Sequence, residues 1–125
     1  MLFRSIGATA GAASLEEQAI AKRDAEIARA WTLNSEDRSD LTTIAAGYDK
    51  VTGKVRFAAK SSLRFRNKEV CVEDLVVAQL GGIENIDNIM LTPAIRPRTM
   101  QVIPVCNNCQ AKYPRSSFIP GTPFL

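Results

Sequence analysis

Apolar and polar positions change period several times along this chain, and each change marks an element. Between residues 15 and 31 the apolar residues Ile20, Ile27 and Trp31 recur at helical spacing, and Lys22, Arg23, Asp24 and Glu26 fall to the other side. Ser14-Leu15-Glu16-Glu17 precedes them as a capping box, in which the serine hydroxyl and the glutamate carboxylate each satisfy an orphan amide of the first turn. The pattern predicts an amphipathic helix over residues 15–31. Residues 34–40 are polar and turn-rich, residues 41–48 are rich in strand formers, and Asp49-Lys50-Val51-Thr52-Gly53 reads as a turn. Residues 54–58 alternate as a second strand should, which makes a β-hairpin.

Residues 61–69 form a basic connection that leads into Val70 and Cys71. Leu75, Val76, Ala78 and Leu80 suit a buried helix, and Gly81-Gly82 supplies its stop. Residues 83–88 read as a loop. Ile89-Met90-Leu91 opens an apolar strand that Pro93 and Pro97 interrupt, that residues 100–103 resume and that Pro104 ends. Residues 107–113 start a short helix closed by Pro114, and residues 116–119 are a candidate last strand. The order α-β-β-α-β-α-β predicts an α/β domain over residues 14–125, behind a small-residue, linker-like segment at residues 1–13.

Composition narrows the chemistry. A chain of 125 residues, 46% hydrophobic and 23% charged, is sized and balanced for one folded domain. No stretch is long and apolar enough for a transmembrane helix or a convincing signal peptide. The formal charge of +3 is a mild basic excess that tolerates polyanionic partners without requiring them. The absence of histidine removes serine–histidine and cysteine–histidine catalysis and histidine-ligated zinc. Any catalysis falls to carboxylate, thiolate or lysine.

All three cysteines lie in two short motifs, Cys71-Val72-Glu73 and Cys106-Asn107-Asn108-Cys109, each at the start of an expected helix. Three thiols cannot all pair within one chain, and their spacing suits a metal or redox chemistry better than a disulfide scaffold. Catalytic zinc commonly takes three protein ligands and leaves the fourth position for water, a count that Cys71, Cys106 and Cys109 meet. Helix N-termini favour the thiolates that zinc requires, and offset part of the formal −1 charge of a three-thiolate zinc centre. Three other readings compete: a structural zinc site that recruits an acidic fourth ligand, a thioredoxin-like pair of Cys106 and Cys109, and plain buried cysteines.

The two motifs and the order of elements resemble the cytidine deaminase-like superfamily, whose signature is a histidine or cysteine, any residue and glutamate at one helix start and Pro-Cys-x-x-Cys at the next. Here Val105 precedes Cys106 and the proline stands at position 104. The resemblance spans the hairpin at Thr42 through Ile119. It implies a compact three-layer α-β-α sandwich with a mixed sheet, zinc held by Cys71, Cys106 and Cys109, and Glu73 as general acid and base. In that chemistry Glu73 takes a proton from the attacking water, protonates the ring nitrogen and assists the departing amine.

Enzymes acting on free cytidine commonly carry arginine after the glutamate, where this chain has Asp74. The motifs look more like short bacterial polymorphic-toxin deaminase domains of the YwqJ-like type. That likeness implies a secreted domain delivered into a target cell's cytoplasm, a monomer with no membrane association and with a cognate immunity protein. Its substrate would be cytosine in nucleic acid, single-stranded DNA ahead of RNA or duplex DNA. Lys60, Ser61, Ser62, Phe65 and Arg66 are candidates to line the substrate pocket. Arg64, Phe65, Arg66 and Lys68 before the first motif, and Arg96, Arg98, Lys112, Tyr113 and Arg115 around the second, could meet phosphates and stack on bases, or could form a solvated surface over a core phenylalanine. The alternatives are a free cytidine or nucleotide deaminase and a non-catalytic, zinc-stabilised nucleic-acid-binding module.

Overall fold

Strand β1 (Leu41–Asp49) is the axis of the sheet in this computed structural model, which describes residues 13–61 and 70–125. β2 (Val55–Ser61) pairs with one of its edges, with Tyr48 opposite Val55 and Leu41 opposite Ser61. β3 (Ile89–Leu91) and β4 (Ala94–Arg96) run in succession along the other edge, with Gly47 opposite Leu91 and Ile44 opposite Ile95. β5 (Gln101–Ile103) closes the sheet beyond β4, giving the order β2-β1-β4-β5 with β3 beside β1.

Alternation along β1 assigns its two faces, because successive side chains of a strand point to opposite sides. Ile44, Ala46 and Tyr48 pack toward helix α1 (Leu15–Ala30), while Ala45 packs toward helix α3 (Val72–Gln79) through Val72, Val76 and Val77. Helix α4 (Asn107–Lys112) joins the α3 side through Cys109. The chain is thus an α/β fold with helices on both faces of a five-stranded sheet.

The sheet is not mixed as expected. Every pairing between the strands just named is antiparallel, and the parallel pairings are two isolated bridges, Leu91 with Phe118 and Val105 with Phe124. Two local events explain the difference. The amides of Thr99 and Met100 both donate to the Arg96 carbonyl, closing a turn that folds β5 back on β4 rather than continuing it. Residues Arg115–Ser117 take a 3-10 turn, so the expected last strand reaches the sheet through Phe118 alone.

The break between β3 and β4 is stabilised from both sides. Thr92 is fully buried, and its hydroxyl accepts from the Ala46 amide at 3.0 Å, standing in for a strand carbonyl next to Pro93. The Pro93 carbonyl in turn accepts from the Arg23 guanidinium at 3.0 Å. Arg23 therefore lies on the buried stripe of α1 with Ala19, Ile27 and Ala30, not on the polar side. Trp31, expected on the apolar face, is exposed and carries the Arg38 guanidinium over its ring.

The capping box at Ser14 and Glu17 is formed in both directions. Residues 34–40 contain a short helix, α2 (Ser35–Asp40), whose Asn34 cap accepts from the Asp37 amide. It buries none of its own residues, so no hydrophobic period announced it. Residues 83–88, expected as a loop, form a 3-10 helix after the positive-φ pair Gly81 and Gly82 that ends α3. The expected linker lies, apart from Ala13, outside the described residues.

Candidate metal centre

Two helix starts face each other on one side of the sheet. Cys71 is the N-cap residue of α3 and Cys106 the N-cap residue of α4, both in extended backbone, and Cys109 lies in the first turn of α4, fully buried. Val105 holds the second start in place: it is buried, donates to the Pro123 carbonyl and accepts from the Leu125 and Gln110 nitrogens. Only after these elements pack do the three sulfurs converge.

The three Sγ atoms all lie within 4.8 Å of one another, and those of Cys71 and Cys106 are 2.9 Å apart. Zinc–sulfur bonds of about 2.3 Å in tetrahedral geometry place sulfurs roughly 3.8 Å apart, so a zinc ion fits if Cys71 and Cys106 part by about 1 Å. Thiolate donors also select for soft or borderline ions such as zinc. The separation of 2.9 Å is longer than a disulfide bond of about 2.0 Å, and all three cysteines are free.

Protonation is uneven across the cluster. Burial, followed by the contact with Cys106, pushes the Cys71 thiol up to about 11. Burial would also raise Cys106, but the Cys71 thiol and the backbone amides of Cys109 and Asn108 outweigh it and bring its value below that of an ordinary thiol. Of the three thiols, Cys106 is thus the one whose ionisation the protein favours, at the start of α4, where helix amides converge. Burial and then the charge of Glu73 push Cys109 strongly up.

Glu73 stands in the first turn of α3, 5% exposed, with its Oε1 3.9 Å from Cys109 Sγ. Burial, ahead of the adjacent Asp74 charge, raises its pKa above the usual carboxylate range. A carboxyl group that holds a proton more readily than usual therefore sits beside the sulfur cluster.

Asp74 has a separate role that the linear pattern missed. Its carboxylate accepts from the Cys71 amide at 2.9 Å, from Lys112 Nζ at 2.9 and 3.0 Å, and from the Tyr113 hydroxyl. Burial opposes ionisation of Asp74, but the Tyr113, Lys112 and Cys71 donors together hold its pKa below the usual value. Its negative charge is matched by Lys112 and clamps the first helix start to the end of the second helix. The available signal was Asp74 at the third position after Cys71, the place from which a capping carboxylate reaches back.

The other expected site residues separate into groups. Lys60 and Ser61 end β2, where the Lys60 carbonyl accepts from Thr42 Oγ1 and Ser61 Oγ donates to Asp40 Oδ2 at 2.6 Å. Ser62, Arg64, Phe65, Arg66 and Lys68 lie outside the described residues. Lys112 and Tyr113 serve Asp74, and Tyr113 is buried, so its ring is no stacking platform. Arg115 lies over the Phe124 ring at 4.1 Å. Arg96 and Arg98 instead line a cleft of about 280 Å³ with Ser39, Leu41 and Thr42.

Comparison with protein-family models, with curated proteins and with solved structures finds no match for this chain. Among the described residues, no helix is long and apolar enough to cross a membrane. The three cysteines define a candidate metal centre on an α/β fold.

Proposed function

We propose that this chain is a zinc-dependent hydrolytic deaminase that converts cytosine to uracil in nucleic acid, single-stranded DNA first among substrates. The observation that carries this reading is the juxtaposition of three converging thiols with one buried carboxyl group, Glu73, at two adjoining helix starts. Cys71, Cys106 and Cys109 would hold the ion, leaving a coordination position open. Zinc so held would supply the Lewis acidity that makes water a nucleophile at neutral pH.

The remaining work falls to Glu73. It accepts the proton lost by the attacking water, delivers it to the ring nitrogen, and assists transfer of a proton to the exocyclic amine. A carbon–oxygen bond forms, the carbon–nitrogen bond breaks and ammonia leaves. Burial suits Glu73 to this shuttle, because a carboxyl group with a raised pKa both accepts and holds a proton more readily. Asp74 keeps Cys71 and its helix start in position without entering the reaction.

A second reading rests on the same 3.9 Å approach of Glu73 to Cys109, which also suits a carboxylate that closes a structural zinc site as fourth ligand. The deciding experiment incubates zinc-loaded protein with a single-stranded DNA oligonucleotide and, in parallel, with free cytidine, and reads uracil formation and bound zinc. The deaminase reading expects conversion by the wild type, and no conversion but full zinc content in Glu73→Gln. Loss of zinc in Glu73→Gln with no conversion by the wild type would establish the structural site instead.

We read the biological setting as a toxin domain delivered into a target cell and countered by an immunity protein, a reading supported by the motif resemblance alone. Expression in bacteria tests it: the wild type should arrest growth and Glu73→Gln should not. Equal tolerance of the two would overturn it.

A further inference from the structure

We propose that the cleft between α2, the start of β1 and the end of β4 is a phosphate-binding subsite that seats the substrate's phosphate groups through Arg96 and Arg98. This rests on the deaminase reading and names the substrate as phosphate-bearing rather than a free nucleoside. The cleft is about 280 Å³ and is lined by Ser39, Leu41, Thr42, Arg96 and Arg98. Two arginines and Ser39 line it as donors suited to phosphate oxygens, while the Thr42 hydroxyl donates to the Lys60 carbonyl.

The two arginines are not committed elsewhere. Arg23, Arg29, Arg38, Arg56 and Arg115 each donate to a carboxylate, a carbonyl or an amide oxygen. Arg96 and Arg98 have no side-chain hydrogen bond or ion pair among the described residues. They flank Pro97, whose fully buried ring anchors the start of the turn between β4 and β5. Asp40, between the lining residues Ser39 and Leu41 in sequence, accepts at Oδ2 from the Ser61 hydroxyl.

Topology connects this cleft with the sulfur cluster. β1 runs antiparallel to both β2 and β4, so its start, the end of β2 and the end of β4 lie at one end of the sheet. The chain leaving β2 at Ser61 leads on to Cys71, and the chain leaving Arg96 passes through β5 to Cys106. Gln101, opposite Arg96, precedes Cys106 by five residues, at most about 17 Å of extended chain. A base at the metal centre and a phosphate in the cleft are therefore within the span of a short oligonucleotide.

The test compares wild type, Arg96→Ala, Arg98→Ala and the double variant for binding of a fluorescein-labelled single-stranded deoxyoligonucleotide, and of CMP and cytidine, across a salt series. For the double variant the expected result is about tenfold weaker oligonucleotide binding and a salt slope smaller by roughly 1.4, two single-strand phosphate contacts' worth. Loss for CMP as well would place a nucleotide's own phosphate in the cleft, and loss for the oligonucleotide alone would place the flanking backbone there. Unchanged affinity and slope for both phosphate-bearing probes would overturn the proposal. If the double variant does not fold, exposed Arg98→Ala and the charge-keeping Arg96→Lys/Arg98→Lys pair decide it: retention in the lysine pair with loss in the alanine supports the subsite. Binding loss in variants of a protein that deaminates nothing would keep the subsite and remove the deaminase reading. Full activity and affinity in the double variant would do the reverse.

Discussion

The Asp74 carboxylate accepts a hydrogen bond from the Tyr113 hydroxyl across the gap between α3 and α4, although the two residues are 39 apart in sequence. The same carboxylate accepts from the Cys71 amide, so one side chain ties the first cysteine's backbone to the end of the helix that carries the other two. Tyr113→Phe removes a donor from a charged acceptor and should lower stability by about 1.5–3 kcal/mol. Zinc affinity should fall about tenfold, as it does when groups supporting metal ligands are removed. Thermal unfolding and competition with a chromophoric chelator measure the two effects. Unchanged zinc affinity would show that the clamp serves folding alone.

Cys71 and Cys106 lie 2.9 Å apart, too close for two thiolates with nothing positive between them. Zinc should relieve that proximity, and its removal by a chelator should lower the unfolding temperature by several degrees. Each of Cys71→Ser, Cys106→Ser and Cys109→Ser should lose stoichiometric zinc and the chelator-sensitive part of the stability. Retention of tight zinc binding by the Cys109→Ser variant would exclude the three-sulfur centre.

The parts of this site that were legible in the sequence are those governed by local spacing. Cys71, Glu73, Cys106 and Cys109 each fall at a helix start because glycine, proline and polar residues punctuate the chain around them, and the geometry then brings them together. The Asp74–Tyr113 clamp was not legible, because Tyr113 reads as one more aromatic residue until α3 and α4 pack. Arg23 falls on the polar side of the linear pattern for the same reason: its acceptor, the Pro93 carbonyl, is in place only once β3 and β4 break beside α1. Proline at positions 93 and 97 signalled interruption correctly, but it did not distinguish a break within an edge, as at Thr92, from a reversal, as after Arg96.

Thr92 supplies the acceptor that the broken edge would otherwise deny to β1. Thr92→Val keeps the shape of the side chain but leaves the buried Ala46 amide without its hydroxyl partner. The expected loss is about 1–3 kcal/mol. Denaturant unfolding should show a lower midpoint with an unchanged slope. A variant as stable as the wild type would show that another acceptor reaches Ala46.

Gly47 sets how closely α3 and the β3 edge approach the middle of β1. A Cβ there would lie 2.8 Å from the Met90 carbonyl oxygen, 2.9 Å from Val76 Cγ1 and 3.0 Å from Leu91 Cδ2. The backbone oxygen belongs to the paired strand and cannot swing aside. Gly47→Ala should therefore cost about 1–3 kcal/mol through overpacking and, because Val76 belongs to the helix that begins at Cys71, should also weaken zinc binding. Thermal unfolding with a parallel zinc titration checks both. Destabilisation without loss of zinc affinity would show that α3 adjusts along its length while its start stays fixed.

Asp49 closes the turn between β1 and β2 and lies in a different part of the fold from the sulfur cluster. The Thr52 amide, the Asn85 side chain and the Val51 amide all donate to its carboxylate, and together they lower its pKa below the ordinary carboxylate value. A depressed carboxylate stabilises the fold fully above its unfolded-state pKa of about 3.9, and that contribution fades as pH falls toward the lower folded-state value. Asp49→Asn keeps the shape but removes the titration. The variant should be less stable than the wild type at neutral pH, and the gap should narrow as pH falls below about 4. Unfolding temperatures measured from pH 7 down to the acid transition provide the test. A gap that stayed constant over that range would mean that Asp49 contributes through its hydrogen-bond geometry and not through its charge.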